Sequence, residues 1–180
     1  MVKLETKLKL KKVKIGILGG SFDPAHKGHL AISKDALKRF NLKSVIWAIT
    51  KQNPFKKKTT NSLKKRIAIC KKITGTNKSI KVKFFEGIIN SNKTADLINH
   101  LSKNKRYDLF FLMGADNLIN FHKWHKWRQI LKKSNIIVFD RNGYKKKSLD
   151  SKTYKGSNEK QLTFVKFNKV NISSSKLRKI

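Results

Sequence analysis

Residues 19–30 read GGSFDPAHKGHL. Two glycines open the stretch, Pro24 interrupts it, and His26 and His29 stand three apart around Lys27 and Gly28. Before it, residues 13–18 (VKIGIL) form an apolar run too short for a helix and suited to a buried strand. After it, residues 30–40 (LAISKDALKRF) carry a helical pattern, so the helix is expected from near Gly28 to near Phe40. Glycine lets a backbone turn sharply and approach a ligand with no Cβ in the way. The first amides of a helix lack intrahelical partners and favour anions. The helix dipole disfavours an imidazolium there, so a neutral histidine can donate to a phosphoryl oxygen while the protein holds its other nitrogen. Two plainer roles compete: capping and packing the turn, or a metal pair, for which no third ligand stands at a suitable spacing. The stretch is neither a Walker loop, GxxxxGK[ST], nor a GxGxxG fingerprint.

Outward from this turn, apolar runs alternate with helical patterns. Further strands are expected at 44–50 (SVIWAIT), 80–85 (IKVKFF, half-exposed), 107–114 (YDLFFLMG), 135–140 (NIIVFD) and 162–167 (LTFVKF). Between them lie the helical stretch LKKRIAICKKI, capped by Asn61 or Ser62, a helix over 94–101, and one ending near Leu131. Residues 141–161 are polar and lysine-rich, either mobile or hiding a short helix. The alternation implies a single α/β domain with a doubly wound, Rossmann-like, mainly parallel sheet and helices on both faces. Ligands on such sheets bind outside the carboxyl ends of the strands. The unusual residues fall there, at 19–29, 50–56 and 114–124.

The chain has 180 residues, enough for one domain with its own core. One cysteine, Cys70, excludes a disulfide framework and suggests a reducing compartment, so the cytoplasm is the expected location. No apolar run approaches a membrane span, and the charged start MVKLETKLKLKK lacks the apolar stretch of a signal peptide. The net charge of +34 attracts anions. It comes from 38 Lys and only 6 Arg, whereas base readout and bidentate phosphate clamps favour Arg. A general drift toward Lys on solvated faces accounts for it without a dedicated nucleic-acid surface.

GGSFDPAHKGH resembles the GxFxPxHxGH signature of the nucleotidylyltransferase superfamily, and ISSSKLR at 172–178 resembles its ISSTxIR signature. QNPFK at 52–56, KTADL at 93–97 and GADNLINFHKW at 114–124 make the chain similar to the bacterial nicotinate-nucleotide adenylyltransferase branch. The resemblance covers residues 13–180, with residues 1–12 as a basic extension. It implies that the 5′-phosphate of nicotinate mononucleotide attacks the α-phosphorus of ATP. Deamido-NAD and pyrophosphate would form, a step of NAD biosynthesis, with Mg²⁺ on the ATP phosphates. No covalent enzyme intermediate is implied. ATP and nicotinate mononucleotide are then the partners, with no specific nucleic acid and no membrane.

Roles carry over only where positions match. Gly19, Gly20, Ser21 and Phe22 match the turn that frames the nucleotides, and His26 and His29 the histidines facing the ATP phosphates. Ser173, Ser175 and Arg178 match positions that receive the triphosphate, Arg178 with a catalytic role and Ser175 in place of the usual Thr. Gly114 and Asp116 match the GxD near the adenylate ribose. Thr94 and Trp124 match residues that hold the nicotinate carboxylate and stack on the pyridine, chemistry that suits a hydroxyl and a flat indole. Lys56 could lend charge to a phosphate, although the chain has NPFK where the family often has PPHK. Relatives generally continue past ISSTxIR, whereas this chain ends at Ile180, so a weakened ATP affinity is expected.

Plainer roles stand beside these: Thr94 as a helix cap, Trp127 with Ile130 and Leu131 in the core, and His122 and His125 on the surface. Two other functions compete, an adenylyltransferase for nicotinamide mononucleotide or phosphopantetheine, and a basic nucleic-acid-binding module. HxGH rather than TxGH counts against phosphopantetheine. No nucleic-acid motif such as RNP1 or a zinc spacing is present.

Overall fold

In the computed structural model, which describes residues 11–53, 58–157 and 161–167, the apolar run at 13–18 forms strand β1 (Val13–Gly20). Helix α1 (Lys27–Arg39) follows, then β2 (Ser44–Ile49) and α2 (Leu63–Thr74). β3 (Ile80–Phe84) leads to the short α3 (Glu86–Ile89) and to α4 (Thr94–Ser102). β4 (Tyr107–Gly114) runs into α5 (Ala115–Leu118), a 3-10 turn at Phe121–Lys123, and α6 (Trp127–Lys133). β5 (Asn135–Phe139), α7 (Lys145–Leu149), α8 (Lys152–Lys155) and β6 (Leu162–Val165) complete the described elements.

The six strands form one sheet in the order β3-β2-β1-β4-β5-β6, with every pairing parallel. The chain winds outward from β1 to β3, crosses back, and winds the other way from β4 to β6. The reversal between β1 and β4 opens a crevice at the carboxyl ends of the strands. Side chains alternate between the two faces. Ile15, Ile17, Phe111 and Val138 are buried on one face with Ile98 of α4 and Ile130 of α6. Leu18, Trp47, Leu112 and Phe139 are buried on the other with Ala36 of α1 and Cys70 of α2. Covering both faces with helices is why the central strands read as continuous apolar runs. β3 is at the edge, where exposed Lys81 and Lys83 alternate with its apolar residues and discourage further pairing.

Local expectations meet two differences and one choice between alternatives. β1 continues through Gly19 and Gly20, which pair with Ala48 and Ile49, so neither glycine makes the turn. The chain reverses later, at Phe22, whose φ of 50° lies in the left-handed region. Ser62, not Asn61, caps α2, its hydroxyl accepting from the Lys65 amide. Thr94 is the first residue of α4 and does not cap it; Lys93 holds the cap position. Trp127 packs against the core as expected, and residues 141–161 hide two short helices, α7 and α8. Among the described residues no helix is long and apolar enough to cross a membrane. Cys70 is fully buried, and burial pushes its thiol up to about 12 against the opposing pull of Arg66. It is a packing residue, not a nucleophile.

Candidate active site

The two motif histidines hold each other's helix start. The main-chain N–H of Gly28 donates to Nδ1 of His26 at 3.1 Å, and that of His26 donates to Nδ1 of His29 at 3.2 Å. His26 is thereby the N-cap of α1, with its backbone extended just before the helix. A ring nitrogen that accepts an amide proton carries none of its own, so this network assigns the ring proton of both imidazoles to Nε2. The ring centroids are 3.9 Å apart. Behind them, the buried Phe22 ring lies 4.8 Å from His29 and stacks on Trp47 at 5.0 Å. The Trp47 indole N–H donates to Ser33 Oγ at 2.8 Å, and the Ser33 hydroxyl donates to the His29 carbonyl at 2.9 Å. The strained Phe22 backbone therefore places an aromatic support under His29.

Two charged residues, neither singled out in the sequence, fasten this turn from below. Asp23 is 1 % exposed and accepts from the main chain and side chains of Thr60 and Asn61, at 2.7 to 3.2 Å. Burial alone would push its carboxyl up, but those hydrogen bonds outweigh it and hold the group below the ordinary carboxylate range. Its contribution to stability is therefore complete above that range and is lost as pH falls through the lower folded value. Arg66 is 2 % exposed and donates to four carbonyls: Ser21 at 2.6 Å, Thr50 at 2.8 Å, Lys51 at 3.0 Å and Asn61 at 3.1 Å. Burial lowers its pKa, opposed chiefly by the negative charge of Asp23. One planar guanidinium thus joins the segments that leave β1 and β2 to the start of α2. A signal for it did exist in the sequence. Arg66, Cys70 and Thr74 recur every four residues on the buried stripe of α2, where a solvated cation does not belong.

A cavity of about 390 Å³ opens at the carboxyl edge, lined among others by Gly19, Gly20, Thr50, Glu86, Thr94 and Trp124. A Cβ on Gly19 would stand 3.6 Å from the Phe111 ring and one on Gly20 3.5 Å from the Phe22 ring, ordinary contacts, so neither glycine is required by packing. What their bare backbone leaves is open cavity wall. Trp124 is half-buried and held edge-on by Phe111 at 6.1 Å and Phe121 at 5.2 Å. Lys93, Lys123 and His125 also line this space, and His125 is exposed, as expected. Among the described residues, His122 Nδ1 is buried without a hydrogen-bond partner.

At the end of β4, Gly114 caps α5, and Asp116 pairs with Arg141 at 2.9 Å. Arg141 lies 6.0 Å over the Tyr144 ring. A Cβ on Gly114 would come within 2.5 Å of Asp116 Oδ1. Gly114→Ala should therefore displace Asp116 from Arg141 and cost about 1–3 kcal/mol of stability, read as a lower midpoint in thermal melting. An unchanged midpoint would mean that the carboxylate moves aside freely.

A sequence model of the cytidylyltransferase-like family matches residues 17–180. A probable nicotinate-nucleotide adenylyltransferase of Pelagibacter ubique is 64% identical over 180 residues, the whole of both chains. The chain belongs to this family. Its Ruegeria relative, likewise named as probable, is 38% identical over 130 residues, covering 72% of this chain and 68% of its own. Nicotinic acid mononucleotide adenylyltransferase of Plasmodium falciparum, solved with NaAD, shares the fold. The two superpose with a TM-score of 0.73 at 19% identity, over 93% of this chain and 83% of that one. The resemblance read from the two signatures is borne out at the level of family, and the family is one of nucleotidyltransferases.

The carried-over residues fall into three groups. Gly19, Gly20, Thr94 and Trp124 meet in the cavity. Ser21, Phe22, His26 and His29 form the adjoining turn, where the Ser21 carbonyl and the Phe22 ring serve as internal fastenings. Gly114 and Asp116 stand at the next strand end. Lys56, Ser173, Ser175 and Arg178 lie outside the described residues. Glu86 and Arg141, which the sequence did not single out, stand with the first and third groups.

Proposed function

We propose that the protein transfers the adenylyl group of ATP to nicotinate mononucleotide, giving deamido-NAD and pyrophosphate. The observation that carries this is the paired imidazole arrangement at the head of α1. Both Nδ1 atoms accept main-chain N–H groups, so the N–H of each ring is on Nε2, the nitrogen suited to a phosphoryl oxygen. In the reaction a phosphate oxygen of the mononucleotide forms a bond to the α-phosphorus. The bond from that phosphorus to the bridging oxygen breaks, and pyrophosphate leaves with the electron pair. His26 and His29 stabilise the charge that develops on the phosphoryl oxygens, and the rigid turn aligns the two anions. Ser21 and Phe22 keep that turn in place, Gly19 and Gly20 leave open wall for the nucleotides, and Asp116 takes the adenylate ribose. Thr94 and Trp124 take the nicotinate ring and its carboxylate in the cavity. Arg178, Ser173, Ser175 and Lys56 are assigned to the phosphates on their sequence positions.

Adenylyl transfer from ATP generally uses a divalent metal, and we assign Mg²⁺ on the ATP phosphates. Phosphate oxygens and water can supply most of the ligands of such a cation, so it needs few from the protein. Bound there, it supplies charge neutralisation. We assign the cytoplasm on the single, buried thiol.

Pyrophosphate release from ATP and Mg²⁺ tests this with nicotinate mononucleotide, nicotinamide mononucleotide and phosphopantetheine as parallel acceptors. The expected outcome is a preference for the first by about a hundredfold or more in kcat/KM, since a site built around a carboxylate leaves its donors unmatched by an amide. Equal turnover of the amide, or turnover of phosphopantetheine alone, would overturn the assignment.

A further inference from the structure

Glu86 is one of only 10 acidic residues in a chain of net charge +34, yet it stands in the wall of a cavity assigned to an anion. It begins α3, immediately after Phe85, and is half-buried. Its Oε1 accepts twice, from the Thr50 hydroxyl and from the Lys51 main-chain N–H at 3.1 Å. Those bonds fix the carboxylate to the segment leaving β2. Among the described residues, Glu86 forms no ion pair and Oε2 accepts no hydrogen bond. A carboxylate has roughly four acceptor positions, so half of this one's capacity is left for a ligand.

The chemistry of the acceptor decides what that ligand group is. Nicotinate mononucleotide carries a phosphate and a ring carboxylate, both anionic acceptors that cannot donate to the acceptor oxygens of Glu86. Its only hydrogen-bond donors at neutral pH are the 2′- and 3′-hydroxyls of the ribose. A carboxylate in the wall therefore matches the middle of the molecule and mismatches both ends.

We propose that Glu86 is a specificity-determining residue that accepts a hydrogen bond from the ribose hydroxyls of the mononucleotide through Oε2. It selects a ribonucleotide over a deoxyribonucleotide and sets the acceptor's position along the cavity, since neither charged end can donate to it. The proposal rests on the assignment of nicotinate mononucleotide as acceptor.

The test compares nicotinate mononucleotide with its 2′-deoxy and 3′-deoxy analogues in wild-type protein and in Glu86→Gln. The glutamine carbonyl can keep both bonds made by Oε1, while its NH2 replaces the second acceptor with a donor, so the segment leaving β2 keeps its fastening. A thermal melt of the variant checks this. In the wild type, at least one deoxy analogue should lose about tenfold to a hundredfold in kcat/KM, the range for a hydrogen bond to a charged acceptor. In Glu86→Gln the KM for the ribonucleotide should rise by a similar factor and the discrimination should fall to about twofold. A purely structural role would lower activity on all three acceptors alike and leave their ratio unchanged. An unchanged ratio in the variant, or no discrimination in the wild type, overturns the proposal while the acceptor assignment stands. Failure of the wild type to use nicotinate mononucleotide at all overturns the acceptor assignment and the proposal with it.

Discussion

His26→Ala should lower kcat by about a hundredfold to a thousandfold, the usual cost of deleting one donor aimed at a developing oxyanion. The substitution also removes the N-cap of α1, worth about 1 kcal/mol, so alanine alone would mix two effects. His26→Asn separates them. Asparagine is among the best N-cap residues and can accept from the Gly28 amide as the imidazole does, but it cannot place a donor where Nε2 stands. The expected result is a melting midpoint near that of the wild type and a kcat as low as that of the alanine variant. A kcat within about threefold of wild type would assign His26 to the cap alone and remove it from the chemistry. Because His29 accepts from the His26 amide and its ring packs at 3.9 Å, the two residues act as a unit. The double alanine variant should be little worse than either single one, since the loss of one member already disables the pair.

Arg66→Met should lower stability by about 3–5 kcal/mol, because it leaves four carbonyls without the donors that satisfy them in a buried site. For a chain of this size that corresponds to roughly 10 °C in the melting midpoint. Arg66→Lys keeps the charge and loses the planar fork, so it should recover only part of the loss. The same variants should lose activity at temperatures where they remain folded, since Ser21 precedes the histidine turn and Thr50 lines the cavity. A midpoint for Arg66→Met within about 2 °C of the wild type would show that the carbonyls find other donors and that the clasp is dispensable.

Local signals carried the fold. Strand patterns of four to eight residues, separated by helical patterns, are a period that neighbouring residues impose, and all six strands were legible from it. The histidine pair was legible for the same reason, since its hydrogen bonds span two and three residues. Gly19 and Gly20 were read as the turn because glycine permits one, but the pairing with β2 holds them extended. The reversal passed to Phe22, a residue with no local preference for a positive φ. Segment 141–161 was opaque because α7 and α8 are five and four residues long, shorter than the window that a helical period needs.

By itself, then, the sequence determined the alternation of strands and helices, the two burial faces of the sheet, the imidazole pair and the family. Each of these is encoded by residues that are near neighbours in the chain or by a recognisable signature. Only the tertiary structure brought Asp23, Arg66, Glu86 and Arg141 to this edge of the sheet. Each meets its partner across a long separation: 45 residues from Arg66 to Ser21, 37 from Asp23 to Thr60, 35 from Glu86 to Lys51 and 25 from Arg141 to Asp116. The parallel sheet brings the ends of distant strands to one edge, and there a buried charge acquires the hydrogen bonds that no local window contains.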